Sequence, residues 1–387
     1  SIGLNLHISY FQSPYGTGWE TTVKPRLLAL GARHVRDAGA VSSNDGWMQT
    51  VYGRMNELAA SGIRFNLVLK PAEGSTSYSS ATHIDRLLQY ARPAVESFEG
   101  LNEHDLSGRS AWATEVRTFQ QAIWSKLKGN SSTAGLPIFG PSLGNPGNAP
   151  SMGDLSGYLE YGALHPYPGG LRPLEAIATH VTYGTRVSGS RPMVVTESGY
   201  HTATLWGGEH PPVSEAAMGR YVPRLFLDYF NAGFAKSYLY ELVDEGASMS
   251  SREEAFGLVR ADGTPKPAYT SLQNLIAVLS DPGPAFTPGS LSLALTGDTS
   301  NVRRLLLQKR NGRFFLVLWH DAYSFTVAGG STPLPSSKVV TLTLARPAAR
   351  IRSFATLTSS AVKTEWLNKA SVGFTVPDSP LVLEISP

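Results

Sequence analysis

Between residue 1 and about residue 280, short apolar runs alternate with longer stretches of helical periodicity, eight rounds in all. A parallel strand pair cannot be closed by a tight turn, so such alternation specifies parallel strands joined by crossover helices. The expected strands are Leu4–Tyr10, His34–Ala38, Phe65–Lys70, Ser97–Asn102, Ile138–Ser142, Ala163–Tyr167, Met193–Glu197 and Ala235–Glu241. Between them fall the expected helices Thr21–Leu30, Trp47–Ala60, Ile84–Ala91, Ala111–Leu127, Leu155–Tyr161, Leu174–Val187, Ala216–Asn231 and Tyr269–Leu279. Eight such units have the size and rhythm of an α/β fold, the (β/α)8 TIM barrel. The competing architecture, a doubly wound open sheet, would place a phosphate-binding glycine turn after an early strand. Here the first strand runs instead into Tyr10-Phe11-Gln12-Ser13-Pro14.

At Ser280-Asp281-Pro282-Gly283-Pro284 the pattern changes, because Pro and Gly interrupt the helix and the remaining residues read as strands alone. Leu291–Leu295, Leu305–Lys309, Phe314–Trp319, Val339–Leu344, Ser353–Leu357, Gly373–Val376 and Leu381–Ile385 are short and rich in β-branched or aromatic residues. Turns such as Asn311-Gly312 separate them, which is the pattern of a small all-β sandwich. With 387 residues the chain exceeds one ordinary compact domain. We expect a barrel over 1–280 and a sandwich over 281–387. The apolar runs Leu305-Leu306-Leu307 and Phe314-Phe315-Leu316 suit either a core inside the sandwich or a face that buttresses the barrel.

Composition removes several function classes. There are 33 Lys+Arg against 30 Asp+Glu, with no basic run longer than Arg303-Arg304, so a nucleic-acid footprint is not expected. Cysteine is absent, which excludes disulfides, thiolate metal sites and cysteine nucleophiles together. No stretch approaches the roughly 20 apolar residues of a membrane helix. The nine histidines show no H-x-H, H-E-x-x-H or close pair, so no metal and no cofactor is expected. A chain that starts at Ser1, low in charge and rich in Ser, Thr, Gly, Tyr and Trp, is expected to be secreted after loss of a signal peptide. Gly140-Pro141-Ser142-Leu143-Gly144 has the form of a nucleophile elbow, which needs a helix directly after the turn. Asn145-Pro146-Gly147-Asn148-Ala149-Pro150 comes next, where no helix is expected to begin promptly.

In a barrel, chemistry gathers where strands end at the C-terminal face. Two apolar runs close on glutamates there: the fourth at Leu101-Asn102-Glu103 and the seventh at Val195-Thr196-Glu197. The chain's other Asn-Glu pair, Asn56-Glu57, lies in a helical pattern, where a glutamate is normally a solvated surface group. Strands four and seven stand on opposite sides of the axis, so their carboxylates can face each other across a pocket. Acetal hydrolysis needs such a pair: one carboxyl protonates the leaving oxygen, and the other attacks or stabilises the oxocarbenium-like centre.

This constellation resembles clan A of the retaining glycoside hydrolases. The resemblance covers the barrel, includes Ala255-Phe256-Gly257-Leu258-Val259 through Lys266-Pro267-Ala268-Tyr269, and extends to a β-sandwich like that of family 39. It implies that Glu103 is the acid/base, Glu197 the nucleophile and Asn102 a partner of the sugar 2-hydroxyl, with carboxyl groups about 5–5.5 Å apart. It further implies that Arg36, closing strand two, helps to hold the nucleophile, and that His165 or Tyr167, at the end of strand six, donates to it. The sequence departs from the clan in having His104 where proline is common, and Tyr240-Glu241 where a tryptophan platform is usual. Alternation puts Asn5, His7 and Ser9 on one face of strand one, so His7 either lines the pocket or is an interior histidine. Lys70 closes strand three and either contacts sugar hydroxyls or ends the strand in solvent. Trp206, in a long loop after strand seven, is the expected stacking surface, ahead of Trp47 and Trp112, which open helical patterns. The expected partner is an oligosaccharide or polysaccharide. A carbohydrate-binding protein or inactive barrel is the alternative.

Overall fold

A computed structural model of the protein describes residues 1–75, 77–328, 330–333 and 336–387. Eight strands, β1 (Ile2–Asn5), β2 (His34–Gly39), β3 (Arg64–Leu69), β4 (Val95–Glu99), β5 (Ile138–Phe139), β6 (Gly162–Leu164), β7 (Met193–Ser198) and β8 (Ser237–Leu239), run parallel in the order β5-β4-β3-β2-β1-β8-β7-β6. The two ends of that order meet at a Phe139–Tyr161 bridge, where Gly140 N donates to Tyr161 O at 2.8 Å, and the sheet closes into a barrel. Around it lie α1 (Pro14–Thr17), α2 (Lys24–Leu30), α3 (Asp45–Ala60), α4 (Ile84–Ala91), α5 (Trp112–Lys128), α6 (Ala149–Met152), α7 (Ile177–Ser188), α8 (Glu215–Asn231) and α9 (Pro267–Leu279).

Local chemistry sets these limits. Asn44 and Ser214 cap α3 and α8 by accepting from the Trp47 and Ala217 amides, and Gly31, at φ 82°, ends α2. At the barrel floor a Cβ on Gly3 would overlap the Tyr238 ring, so only glycine lets that tyrosine enter.

Several strands are shorter than the sequence reading, β4, β5 and β8 among them, and two elements differ in kind or course. The expected helix Leu155–Tyr161 is only a 3-10 turn at Ser156–Tyr158, since Gly157 interrupts the run; α6, which Gly153 ends, and a 3-10 turn at Pro146–Asn148 precede it. A short helix therefore does follow Gly140–Gly144, because Pro at a first helical position is favourable. Strand one stops at Asn5 and does not reach Tyr10. The Asp37 carboxylate accepts the Ile8 amide at 3.0 Å, and Tyr10 N turns back to His7 O at 2.9 Å.

The C-terminal region is one antiparallel sheet of β9 (Leu293–Gly297), β10 (Val302–Gln308), β11 (Phe314–His320), β12 (Ser337–Ala355), β13 (Thr364–Pro377) and β14 (Leu381–Ser386). Val339–Leu344 and Ser353–Leu357, expected as separate strands, belong largely to the single 19-residue β12, whose register with β13 shifts between Thr343 and Ala348. Its first half pairs with β9 and its second with β14, so the two halves of one sheet face each other across a core. All seven residues of β11 are buried. Phe314, Leu316 and Leu318 fill the sandwich, while Phe315, Val317 and Trp319 join Leu227 of α8 and Leu275 and Val278 of α9. Both readings of the Phe314-Phe315-Leu316 run are thus realised, on alternate faces.

Candidate active site

Strand register aligns Asn5 with Arg36, Arg36 with Asn66, and Asn66 with Ser97, giving a polar layer across four neighbouring strands near the mouth of the barrel. Arg36, only 4% exposed, organises it. Its Nε and Nη2 donate to the two oxygens of the fully buried Glu99 at 2.8 and 2.9 Å, and Nη2 also donates to Asn102 Oδ1 at 2.6 Å. Nη1 donates to Asn5 Oδ1 at 2.9 Å and to Glu197 Oε1 at 2.5 Å. Burial opposes the charge on Arg36, and Glu99 and Glu197 more than offset that, so the guanidinium stays charged. Asn66 Nδ2 supports Glu99 Oε2 at 2.6 Å, and Ser97 Oγ donates to Asn66 Oδ1 at 2.8 Å.

Above this layer the two glutamates face each other. A carboxylate oxygen of Glu103, a ring nitrogen of His165 and an oxygen of Glu197 all lie within 4.8 Å of one another. His165 stands between them, its Nδ1 at 2.6 Å from Glu103 Oε1 and 3.6 Å from Glu197 Oε2, its Nε2 at 3.0 Å from Thr196 Oγ1. Tyr167 OH donates to Glu197 Oε2 at 2.7 Å. Burial raises the Glu197 carboxyl, but His165, Arg36 and the Tyr167 hydroxyl outweigh it and bring it down to about 2. Burial likewise opposes charge on His165, and Glu197 and Glu103 raise it above its ordinary value. Glu103 has a left-handed backbone (φ 42°, ψ 39°), rare for a side chain of this size and typical of functional positions, and its amide donates to Ser142 Oγ at 3.3 Å. Ser142, the would-be nucleophile, is buried in this supporting role. His104 turns away to Glu115, at 2.7 Å.

A cavity of about 390 Å³ opens over the pair, lined by His7, Asn102, Glu103, His165, Tyr167, Glu197 and Tyr240 among the predicted residues. Gly199 lets the Tyr240 backbone approach β7 closely, because a Cβ there would overlap the Tyr240 carbonyl. Lys266, from the segment leading into α9, is buried and ties Thr202 Oγ1, Asp244 Oδ1 and the Ala255 carbonyl together at 2.8–3.1 Å, bracing the loops after β7 and β8.

Four predicted residues stand elsewhere. Arg36 lies beneath the cavity and acts on Asn102 and Glu197. Glu241 is fully buried behind the wall, where its Oε2 accepts from Tyr15 OH at 2.8 Å. Lys70 is exposed at the end of β3 and engages His83 through its carbonyl alone. The Trp206 ring lies beneath the Arg252 guanidinium, 5.6 Å from its carbon, with Nε1 donating to Glu209 O, so that Arg252 and not Trp206 borders the cavity. Trp47 and Trp112 pack on the core. Sequence reasoning missed Glu99 and Asn66, although Ser97-Phe98-Glu99 carries polar residues at the strand period, and it missed Tyr10, Arg252 and Phe256 of the cavity wall.

No protein-family model matches the sequence, and no curated protein matches it. Solved structures do resemble it. A family 39 glycoside hydrolase from the gut symbiont Bacteroides cellulosilyticus WH2 aligns over 100% of this chain and 80% of its own, with TM-score 0.60 and 14% identity. A glucosidase from Croceicoccus marinus aligns over 96% and 93%, with TM-score 0.62 and 12% identity. The catalytic domain of the family 30 xylanase C from Talaromyces cellulolyticus aligns over 99% and 96%, with TM-score 0.57 and 12% identity. The chain therefore shares its fold, barrel and C-terminal sheet together, with glycoside hydrolases.

Proposed function

We propose that the protein is a retaining β-glycoside hydrolase that cleaves an oligosaccharide or polysaccharide by double displacement. One observation carries the reading: carboxylate oxygens of Glu103 and Glu197 within 4.8 Å of each other. That proximity fits the roughly 5–5.5 Å carboxyl separation of a retaining pair better than the about 6.5–9.5 Å of an inverting one. The environments support distinct roles. Glu197, held anionic by Arg36, His165 and Tyr167, attacks the anomeric carbon, while Glu103 protonates the leaving oxygen. Glu103 then takes a proton from the water that releases the glycosyl-enzyme. His165, hydrogen-bonded to Glu103, positions that carboxyl. Asn102, whose oxygen is occupied by Arg36, has its amide hydrogens left for a sugar hydroxyl.

The test is a mechanism-based glycosyl fluoride, chosen after screening aryl glycosides and polysaccharides for turnover. Mass spectrometry should find the label on Glu197, and Glu197→Ala should abolish turnover in a folded protein. Turnover by that variant, or a label elsewhere, would remove Glu197 from the role. Binding of glycans with neither turnover nor label would identify a carbohydrate-binding protein instead.

A further inference from the structure

Where the ends of β1 and β8 meet, a second group of side chains lies behind the cavity wall. His7 Nε2 stands 3.3 Å from Glu241 Oε2 and 3.4 Å from Glu245 Oε1, and one donor atom from each of the three lies within 4.8 Å of the other two. Neither contact has hydrogen-bond geometry. His7 Nε2 is buried without a partner, and so is Oε1 of Glu241, a residue with 0% exposure. A buried acceptor or ring nitrogen left in that state is costly. Among the described residues no Lys or Arg pairs with Glu241 or Glu245; Arg252 is held by Glu253 and Lys266 by Asp244.

We propose that His7, Glu241 and Glu245 form a binding site for a divalent cation of the zinc or manganese type. Two ligands of one tetrahedral ion, each bonded at about 2.0–2.2 Å, lie roughly 3.3–3.6 Å apart, which is the spacing His7 has to both carboxylates. Two carboxylates balance a 2+ charge, and the imidazole selects transition ions over magnesium or calcium, which prefer all-oxygen sets. Tyr15 OH, donating to Glu241 Oε2, orients that ligand from behind. The ion would join the β1 end to the β8 end and fix the His7 ring in the cavity wall, where it stacks on Tyr10 at 4.6 Å and meets the edge of Tyr240 at 5.5 Å. Motif spacing could not reveal the set, since His7 is distant in sequence from Glu241 and Glu245. The inference does not depend on the proposed activity.

Chelator-treated full-length protein is titrated with zinc chloride and with manganese chloride by calorimetry, alongside thermal unfolding. One ion per chain is expected, with the unfolding midpoint raised by about 3 °C at a hundredfold excess over Kd. Glu245, at 21% side-chain exposure, tolerates replacement, so Glu245→Gln should fold and bind at least about 100-fold more weakly. Glu103→Gln should bind as the wild type does, because the Glu103, His165 and Glu197 group is the other set among the described residues able to grip an ion. Absence of wild-type binding at millimolar zinc, unchanged binding by Glu245→Gln, or loss of binding in Glu103→Gln would each overturn the site. Magnesium binding as tight as zinc would overturn the assigned ion class.

Discussion

Replacing Tyr167 with Phe deletes the hydroxyl that donates to Glu197 Oε2 at 2.7 Å and leaves the ring against Phe256 and His210, at 5.6 and 5.8 Å. A hydrogen bond to a charged group contributes about 1.5–3 kcal/mol, and about 1.4 kcal/mol corresponds to one pKa unit. The Glu197 carboxyl, at about 2 in the wild type, should therefore rise by about 1–2 units in the variant. A carboxyl whose folded pKa is depressed adds stability above its unfolded value, near 4.3, and loses it as pH falls through the folded value. In the wild type that contribution is complete above pH ~5 and is lost as pH falls towards the lowered folded value. Urea unfolding of both proteins from pH 6 down to pH 2.5 reads the share of the hydroxyl together with that of His165, whose charge is tied to Glu197, while groups remote from the pair cancel in the difference. The variant should be about 1.5–3 kcal/mol less stable at pH 6, with the gap closing as pH falls through the variant's raised pKa. The acid limb of kcat/KM should move up by about 1–2 units as well. A stability gap that stays constant across this range would refute the reasoning, since the hydroxyl would then not act through the charge on Glu197.

Glu99→Ala leaves the buried Arg36 without its two-pronged partner and should destabilise by about 3–5 kcal/mol in urea; a loss below about 1 kcal/mol would mean the layer is not ion-paired in solution. Trp206→Ala should keep kcat/KM for small aryl glycosides within about threefold, because the ring lies outside the cavity; a tenfold fall, about 1.4 kcal/mol, would place it in the site. Phe315→Ala removes a ring packed beside α8 and α9 and should cost about 3–5 kcal/mol while lowering one shared calorimetric transition. Two separated transitions would show that barrel and sheet unfold independently.

Apolar runs that close on glutamates pointed to Asn102-Glu103 after β4 and to Glu197 in β7, whereas Arg36, read as closing strand two, lies inside β2. The same rule fails for Lys70 because a strand's last residue points wherever the next turn sends it; Pro71 follows, and the side chain leaves the barrel. Glu241 satisfied the alternation but lies outside the cavity, since Tyr240 and His7 fill the wall in front of it. The fifth crossover departs from its helical pattern because Gly157 outweighs the apolar spacing of Leu155 and Leu159. Asn66 and Glu99 escaped notice because a polar residue inside a strand is explained only by the neighbour across the register, and register is a property of the closed barrel.

The double burial of β11 governs how this chain can change. Neighbouring residues along one strand answer to different surroundings: an altered Leu316 is judged by β12 and β14, an altered Val317 by the helices of the barrel. Grafting the barrel onto another C-terminal module would therefore strip α8 and α9 of the apolar face they pack on. A successful recombinant must cut elsewhere, or carry a strand whose odd positions reproduce Phe315, Val317 and Trp319. What must travel together is β11 with α8 and α9.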